Sequence, residues 1–285
     1  MNLNPAIPVL VNGKPDACLS TLDRGLLYGD GVFETMMVSD GEPRFWALHM
    51  QRLQAGCKRL GISPCDTELL KNEADSLLDS DAAGVLKVIV TRGSGGRGYR
   101  QAAGTTPTRI IQLHSWHGYP PGCAETGITA RTCSTRLGHN RALAGIKHLN
   151  RLEQIMARRE WDDAGIMEGL LLDHEGCLIE GTMSNIFLVM GGVLVTPALD
   201  RCGVAGIMRS RVLDAAELQG LEVEIRHIRS GELAQADEVF VCNSVIGIWP
   251  VVAADGLAWR KGEITTGLQQ HLAAHPDNNP AWRDR

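Results

Sequence analysis

A chain of 285 residues that is 44% hydrophobic and 21% charged has the composition of a globular protein with a buried core. This length favours one large domain or two ordinary ones, and we expect two. The formal net charge of −5, without an arginine-rich cluster among aromatic residues, argues against a nucleic-acid partner.

The first part of the chain predicts antiparallel strands followed by helices. Residues 7–11 lead into Asn12-Gly13, a pair that supplies the positive φ angles of a tight hairpin turn. Residues 31–38 alternate as a strand does and end at an Asp-Gly turn. The spacing of apolar residues then predicts helices over 48–60 and 67–78. We assign residues 1–113 to a small N-terminal α+β domain.

A glycine-rich segment follows the predicted strand 84–92. The run Arg92-Gly93-Ser94-Gly95-Gly96-Arg97-Gly98-Tyr99 contains a formal G-x-G-x-x-G. A dinucleotide fingerprint requires a helix after the last glycine and an acidic residue about 20 positions further on. A strand over 109–113 follows instead, and no Asp or Glu occurs between Tyr99 and Glu125. The glycines therefore predict a long hairpin loop and not a Rossmann turn.

The second part of the chain begins after a segment with the composition of a linker. Residues 114–122 show no periodicity and contain Pro-Pro-Gly. We assign residues 123–285 to a larger C-terminal domain, with a helix predicted over 149–161 and a meander of short strands over 169–196. From His275 the chain reads as a polar tail to which we assign no chemistry.

The spacing of the cysteines and the first residues of the chain indicate the cellular compartment of the protein. Eight cysteines are scattered without a C-x-x-C pair or a histidine at zinc-ligand spacing, which predicts reduced thiols and no metal site. The N-terminus lacks the cationic start and apolar stretch of a signal or transit peptide. No segment approaches the roughly 20 apolar residues that span a bilayer. We expect a cytoplasmic protein without a membrane partner.

Lys147 lies in the small-residue run Ala144-Gly145-Ile146-Lys147, just before the predicted helix 149–161. Alone it is either a solvated amine or a Schiff-base lysine. A lysine that forms an imine must be sheltered from bulk water. Pyridoxal phosphate chemistry also needs a carboxylate for the ring nitrogen, amides or an arginine for the phosphate, and a recess for the substrate carboxylate.

Candidates for these partners occur along the chain, each with two interpretations. Glu180, at the end of a predicted strand, is a carboxylate at the rim or the partner of the ring nitrogen. A glycine-rich loop runs into a predicted helix over 208–218, which is an ordinary helix start or a phosphate site. Arg52 is a solvated helix residue or a phosphate clamp, and Asn243-Ser244 is a turn or a second set of phosphate donors.

Together, five ordered motifs resemble the fold-type IV pyridoxal-phosphate enzymes, which include branched-chain and D-amino-acid aminotransferases and aminodeoxychorismate lyases. They cover nearly the whole chain and are Tyr28-Gly29-Asp30-Gly31-Val32-Phe33-Glu34, His49-x-x-Arg52-Leu53, Lys147-x-x-Asn150, Glu180-x-x-x-x-Asn185 and Gly203-x-x-Gly206-Ile207-x-Arg209. The segments 92–99 and 143–154 look most like bacterial aminodeoxychorismate lyases. The resemblance implies an α+β fold of two domains with mixed, largely antiparallel sheets, the larger one barrel-like with flanking helices.

The resemblance also implies a role for each matched residue. Lys147 would form the Schiff base with pyridoxal 5′-phosphate, Glu180 would pair with its ring nitrogen, and Arg52 would reach its phosphate. The other implied cofactor contacts are Asn185, the backbone amides of Ile207 and Met208, and Asn243 with Ser244. The candidates for substrate carboxylates are Arg97, Tyr99 and Tyr28, although Arg97 is equally a solvated loop cation.

The implied reaction converts 4-amino-4-deoxychorismate to 4-aminobenzoate and pyruvate without consuming an amino acceptor. Lys147, once released, would remove the C4 proton as a general base. An aminotransferase of D-amino or branched-chain amino acids is the alternative, and a non-catalytic or lysine-only Schiff-base protein is a third hypothesis. The family pattern further implies a homodimer.

Overall fold

The computed structural model describes residues 7–15, 17–101, 104–116, 118–275 and 282. It divides the chain into two compact units. Unit 1 comprises Met1–His117 and Lys147–Asn150, and unit 2 comprises Gly118–Ile146 and Arg151–Arg285. The first division falls within the expected linker 114–122, of which residue 117 lies outside the described residues. Most of the expected polar tail also lies outside them.

The segment Lys147–Asn150 belongs to unit 1, whereas we expected it in the C-terminal domain. Backbone pairing accounts for the difference. His148 forms an antiparallel bridge with Val32, and the carbonyl of Gly31 accepts a hydrogen bond from the backbone amide of Leu149 at 3.0 Å. Residues 147–150 thus pair with a strand that is formed by residues from much earlier in the chain.

Unit 1 is built on one antiparallel sheet with helices beside it. Its strands are β1 (Val9–Val11), β2 (Lys14–Pro15), β3 (Gly31–Ser39), β4 (Glu42–Pro43), β5 (Gly84–Thr91) and β6 (Thr108–His114), and its helices are α1 (Arg24–Tyr28), α2 (Trp46–Leu60) and α3 (Thr67–Asp75). The sheet order is β2-β1-β6-β5-β3-β4. Along β3, alternate residues are buried in the core that α2 covers, and the others are half-buried on the opposite face.

Both turn predictions for this unit are confirmed. Asn12 and Gly13 have φ angles of 51° and 74°, and Val11 pairs with Lys14 across a two-residue hairpin. Asp40 and Gly41, at 51° and 73°, turn β3 into β4. The predicted helices are present as α2 and α3, although α3 ends three residues early.

The glycine-rich segment 93–99 connects β5 to β6, which pair in an antiparallel manner over their full length. The hairpin prediction is therefore confirmed, and the formal G-x-G-x-x-G is not part of a βαβ unit. Gly93, with a φ of 88°, is required at the start of the loop because a Cβ there would lie 2.0 Å from the carbonyl oxygen of Thr106.

Unit 2 is built on one large mixed sheet. Its strands are β7 (Ile128–Leu137), β8 (Ile166–Asp173), β9 (Cys177–Gly181), β10 (Asn185–Met190), β11 (Val193–Pro197), β12 (Val223–Arg226), β13 (Ile228–Arg229), β14 (Glu238–Asn243), β15 (Gly247–Ala254) and β16 (Leu257–Ala258). Its helices are α4 (Cys123–Thr126), α5 (Leu152–Arg158), α6 (Ile207–Leu218) and α7 (Glu263–Ala274), with a 3-10 helix over Ser230–Gln235.

The strand order in unit 2 is β12-β11-β10-β14-β15-β7-β8-β9-β13, with β16 beside β15. Strand β9 also contacts β10, so the sheet nearly closes into a barrel. Its interior is filled by apolar side chains that include Leu170, Leu188 and Trp249. The predicted fold class, two domains with a barrel-like larger sheet and flanking helices, is confirmed.

The helix predicted over 149–161 is shorter than expected, because α5 begins only at Leu152, after the chain leaves unit 1. Its apolar side chains are exposed in the single chain, by 74% at Leu152, 54% at Ile155 and 51% at Met156. All eight cysteines are free thiols. Among the described residues, no helix is long and apolar enough to cross a membrane, and no cluster of side chains suits a metal ion.

Candidate active site

Lys147 is half-buried in unit 1, and the first strand residues of β3 fix its position. Its carbonyl accepts a hydrogen bond from the amide of Phe33 at 3.1 Å, and its Nζ lies 4.5 Å from the centroid of the Phe33 ring. A cation over an aromatic face is attracted to the ring electrostatically. The amine is thus presented on the half-buried face of the sheet.

The ammonium group of a second lysine, Lys87, also lies near the ring of Phe33. Its Nζ lies 5.3 Å from the Phe33 centroid, and its strand register places it opposite Thr35 on β3. Within the described part of the chain, Lys87 has no carboxylate partner. Lys87 and Lys147 thus bring two ammonium groups to one aromatic ring, an arrangement that favours an anionic ligand. Sequence reasoning did not identify Lys87.

A buried ion-pair cluster lies on the core face of β3. The carboxylate of Glu34, 1% exposed, accepts hydrogen bonds from Nε of Arg52 at 2.8 Å and from Nη2 at 2.5 Å. Nδ1 of His49 also contacts this carboxylate, at 2.5 Å. Burial would raise the pKa of Glu34, but the charges of Arg52 and His49 outweigh it and lower the pKa to about 2. Arg52 is thereby held in one orientation.

His49 leaves one buried polar atom without a partner, its Nε2. Burial lowers the pKa of His49, Glu34 acts in the opposite direction, and the charges of Arg52 and Lys147 lower it further. With Nδ1 directed at Glu34, a neutral ring leaves Nε2 as an unsatisfied acceptor. An anion bound beside it would favour the protonated ring, in which Nε2 becomes a donor.

Two buried arginines, Arg24 of α1 and Arg92, hold the base of the glycine-rich loop 93–99. Asp30 accepts hydrogen bonds from Nε of Arg24 at 2.9 Å and from Nε of Arg92 at 2.7 Å. Burial would raise the pKa of Asp30, and the hydrogen bonds from the two arginines make the net shift downward. Nη1 of Arg24 donates to the carbonyl of Gly98 at 2.9 Å. The base of the loop is thus fixed by charged side chains.

The three predicted substrate residues lie on this loop and on α1. The hydroxyl of Tyr28 accepts from the backbone amide of Gly98 at 3.2 Å, and its ring meets that of Tyr99 edge to face at 5.6 Å. Tyr99 is 85% exposed, and Arg97 is exposed as well. The structure therefore brings Tyr28 and Tyr99 together and leaves Arg97 in solvent in the single chain.

In unit 2, the predicted residues Glu180 and Asn185 hold the backbone of one residue, Val204, at its amide and at its carbonyl. Oε2 of Glu180 accepts from the backbone amide of Val204 at 2.8 Å, and Nδ2 of Asn185 donates to the carbonyl of the same residue at 2.8 Å. Oε1 of Glu180 also accepts from Nε2 of Gln154 at 3.4 Å. Glu180 and Asn185 are only 4% and 5% exposed, so neither is a rim residue.

The start of α6 follows shortly after Val204 and has the features of an anion site. Gly206 precedes the helix, and no side chain caps it. A Cβ at Gly206 would lie 2.0 Å from Oδ1 of Asn185, so the close approach requires glycine. The first amides of a helix point outward without intrahelical partners, and a phosphate satisfies them. The first two residues of the helix are Ile207 and Met208, as predicted for the phosphate.

Asn243 and Ser244 lie in the turn after β14. Nδ2 of Asn243 donates to the carbonyl of Met183 at 3.0 Å, and its Oδ1 accepts from the amides of Val245 and Ile246. The side chain of Asn243 therefore orders this turn. The assignment of both residues to the phosphate stays a prediction.

Sequence reasoning missed several buried charges of the site, namely Glu34, His49, Arg24 and Glu168. The sequence did contain a signal for Glu34, because it occupies an inward-facing position of β3 where the neighbouring inward positions are apolar. A carboxylate at an inward position must have partners. Glu168 stands likewise within β8 and is fully buried.

The chain resembles known proteins over nearly its whole length. The class IV aminotransferase family matches residues 31–254. The aminodeoxychorismate lyase of Vibrio harveyi is 34% identical over 266 residues, which is 92% of this chain and 98% of that protein. A Methanocaldococcus jannaschii protein, whose name proposes a branched-chain-amino-acid aminotransferase, is 35% identical over 278 residues, with 92% and 94% covered. The crystal structure of 4-amino-4-deoxychorismate lyase from Pseudomonas aeruginosa has a TM-score of 0.88 and 48% identity, with 95% of this chain and 100% of that chain covered.

Relatives of this class, the aminodeoxychorismate lyases among them, are pyridoxal-phosphate enzymes. The residues present fit that cofactor, because Lys147 offers an amine over an aromatic ring, Nε2 of His49 is an orphaned buried atom, and the cradle at Gly206 excludes a side chain. The chain therefore belongs to the class IV aminotransferase family, and its cofactor is pyridoxal 5′-phosphate.

Proposed function

We propose that this chain is an aminodeoxychorismate lyase, which converts 4-amino-4-deoxychorismate to 4-aminobenzoate and pyruvate. The observation that carries this proposal is the 48% identity to the Pseudomonas aeruginosa lyase, which this chain matches over that enzyme's full length. The positive charge of the Lys87 face supports it, since the substrate carries two carboxylates.

Lys147 has the central role in this proposal. When bound, pyridoxal phosphate supplies an electron-withdrawing ring that makes a C–H bond beside the attached amine acidic. Lys147 would hold the cofactor through Nζ, and its amine would be free once the substrate amine is bound. The freed Nζ then removes the proton from C4 of the substrate as a general base. Its backbone hydrogen bond to Phe33 keeps the amine within reach of that carbon.

Glu180 keeps a proton on the ring nitrogen, because a neighbouring carboxylate raises the pKa of that nitrogen. The hydrogen bonds from Val204 and Gln154 hold the carboxylate in place for this task. The side chain of Asn185 binds the carbonyl of Val204, so Asn185 and Glu180 hold the backbone of the same residue.

The phosphate group is bound by both a side chain and backbone amides in this proposal. Arg52, oriented by Glu34, supplies a fixed guanidinium. The amides of Ile207 and Met208 supply the helix N-terminus. Asn243 and Ser244 complete the set from the turn after β14.

Substrate carboxylates are bound by cations and hydroxyls in unit 1. Nζ of Lys87, like that of Lys147, lies near the ring of Phe33, and it takes one carboxylate. Arg97 and Tyr99 take the other from the loop 93–99, with Tyr28 packed against Tyr99. The carbon–oxygen bond at C3 then breaks and the ring becomes aromatic, while the released enolpyruvate takes up a proton to become pyruvate. No amino acceptor is consumed, because the substrate amine leaves as part of 4-aminobenzoate.

An aminotransferase of branched-chain or D-amino acids is the second candidate. The aminotransferase relatives of similar identity favour it as family background. Such an enzyme needs an amino acid and a keto acid in turn, whereas the lyase needs one substrate alone.

The two candidates are separated by one assay. The purified chain, loaded with pyridoxal phosphate, is incubated with 4-amino-4-deoxychorismate and no keto acid, and fluorescent 4-aminobenzoate is followed. We expect its release together with pyruvate in equal amounts. Product formation only from pairs of amino and keto acids would establish the aminotransferase instead.

Replacement of the lysine tests the catalytic assignment. Lys147→Ala should abolish turnover and the visible absorption band that borohydride removes from the unaltered enzyme. Lys87→Ala serves as a control, since it leaves the band in place while it weakens substrate binding. Turnover of Lys147→Ala near that of the unaltered enzyme would contradict the role.

We further propose that the enzyme is a homodimer and is cytoplasmic. The apolar face of α5, formed by Leu152, Ile155 and Met156, supports a second copy as partner, because such faces on single chains are commonly covered in assemblies. Eight free thiols support a reducing compartment. Sedimentation of the unaltered chain and of Ile155→Asp tests the dimer, with a lower mass expected for the variant.

A further inference from the structure

Glu168 is a fully buried carboxylate that the proposed mechanism does not use. It lies within β8, and five donors surround it. Oε1 accepts from the amide of Gly169 at 2.9 Å, and from the amide and hydroxyl of Thr182 at 2.9 and 2.6 Å. Oε2 accepts from the hydroxyl of Ser184 at 2.6 Å and from the amide of Met183 at 3.4 Å.

These distances are those of an ionised acceptor. Hydroxyl donors at 2.6 Å match the short hydrogen bonds that an anionic oxygen receives. Burial raises the pKa of Glu168, and the bonds from Ser184 and Thr182 offset only part of that rise, so its pKa stays above the ordinary value. A buried charge of this kind is stable only with all of its donors in place. The carboxylate and the segment 182–184 therefore order one another.

The segment that Glu168 holds is the connection between two predicted cofactor residues. The turn 181–184 joins Glu180, near the end of β9, to Asn185, the first residue of β10. It closes through a hydrogen bond from the amide of Gly181 to the carbonyl of Ser184 at 2.6 Å. A Cβ at Gly181 would lie 2.7 Å from Oε2 of Glu168, so the turn packs directly on the carboxylate.

A third predicted residue depends on the same turn. The carbonyl of Met183 accepts the hydrogen bond from Nδ2 of Asn243. Three side chains from three strands thus meet at one short turn, and one carboxylate from a fourth strand fixes it.

We infer that Glu168 is a positioning residue, whose buried carboxylate sets the turn 181–184 and, through it, the placement of Glu180, Asn185 and Asn243 toward the cofactor. This inference rests on the cofactor roles given to those three residues in the proposed function. Glu168 itself touches neither the cofactor nor the substrate in this assignment.

The experiment compares Glu168→Ala and Glu168→Gln with the unaltered full-length chain. Pyridoxal phosphate is titrated into the cofactor-free proteins, and its Kd and visible absorption spectrum are recorded. Loss of the carboxylate removes several hydrogen bonds to a charged group, so we expect the Kd of Glu168→Ala to rise about 10- to 100-fold. Glu168→Gln keeps the shape of the side chain and one acceptor oxygen and should recover only part of that loss, whereas a role in packing alone predicts nearly full recovery.

Asp173→Asn is the matched control, because Asp173 is a buried carboxylate at the end of the same strand. It accepts hydrogen bonds from the amides of Glu175 and Cys177 and so orders the turn before β9. We expect this variant to lower the Tm without a change in the Kd or the absorption spectrum. If Glu168→Ala also lowers the Tm but keeps the original Kd and spectrum, the inference is wrong.

Two further measurements keep the test decisive. If Glu168→Ala does not fold, Ser184→Ala removes one donor and leaves the carboxylate, and we expect a rise in Kd of a few-fold; an unchanged Kd overturns the inference. Amide hydrogen exchange in the cofactor-free chain should be faster over 181–185 in Glu168→Gln, and unchanged exchange there overturns it as well. Failure of the unaltered chain to bind pyridoxal phosphate would instead refute the proposed function.

Discussion

The two units hold their charged groups in different ways. In unit 1, carboxylates are paired with cationic side chains, as Glu34 is with Arg52 and Asp30 is with Arg24. In unit 2, Glu180 and Glu168 accept from backbone amides, hydroxyls and an amide side chain. A carboxylate paired with an arginine has its charge cancelled locally. Arg151 also acts on Glu180 electrostatically, so the contrast is clearest at Glu168, whose five hydrogen-bond donors are all neutral.

The largest expected effect concerns the stability of unit 1. Glu34→Gln leaves Arg52 buried without its counterion, and we expect the free energy of unfolding to fall by about 3–5 kcal/mol. Urea denaturation measures the change. Glu73→Gln is the control, because Glu73 pairs with the partly exposed Arg109 and should cost about 1 kcal/mol. Equal losses in the two variants would remove the distinction between a buried and an accessible pair.

In unit 2 the corresponding change should affect turnover more than folding. Glu180→Gln keeps an acceptor for the amide of Val204 but loses the charge that holds a proton on the ring nitrogen. We expect kcat to fall about 100-fold or more, with a loss of only about 1 kcal/mol in the free energy of unfolding. Steady-state kinetics and urea denaturation on one preparation provide both numbers. A large loss of stability with little loss of kcat would reverse the comparison.

Acid should weaken unit 1 through Glu34. Its pKa in the folded chain is about 2, below the ordinary value of 4.5, so its ionised form stabilises the fold at pH values above about 4.5. That contribution is lost as the pH falls from 4.5 through 2. Between pH 7 and pH 3.5 we expect Glu34 to account for a loss of about 1 kcal/mol. Glu34→Gln should lack this part of the pH dependence, which denaturation at both pH values would show.

The smallest effect is expected in the loop 93–99. Arg24→Gln removes the hydrogen bond to Gly98 and the pairing with Asp30, so the loop should loosen while Lys147 and its cofactor stay in place. We expect faster tryptic cleavage after Arg97 and a KM about 10-fold higher, with kcat nearly unchanged. Arg109→Gln, which removes side-chain bonds to Glu73 on α3 and none to the loop, should leave both unchanged. Identical cleavage rates in the two variants would show that α1 does not hold the loop.

Local sequence patterns predicted most elements of both units. The Asn12-Gly13 hairpin, strand β3 and the loop character of the segment 93–99 each follow from residues that are close in sequence. The ordered motifs likewise located Lys147 and Glu180. These features share one property, namely that their signal lies within a short window of the chain.

The rest depended on contacts between distant segments. Glu168 meets residues 14 to 16 positions away, and the pairing of Lys147 with Phe33 joins positions over a hundred residues apart. No local pattern records such a contact. The end of α5 nearest to Lys147 was misplaced for the same reason, because the backbone of Leu149 is used in pairing with Gly31 and not in a helix.

Because residues 147–150 belong to unit 1, recombination between this gene and that of a relative has a structural consequence. A crossover in the linker near residue 117 would join one parent's β3 to the other parent's Lys147 segment. The two segments make backbone hydrogen bonds, which tolerate different side chains, yet the Lys147 amine would then lie over a Phe33 supplied by the first parent. Exchange of the sequence after residue 117 between relatives therefore transfers Lys147 but leaves behind the ring on which its amine lies, so recombinants should retain the fold more readily than the activity proposed above.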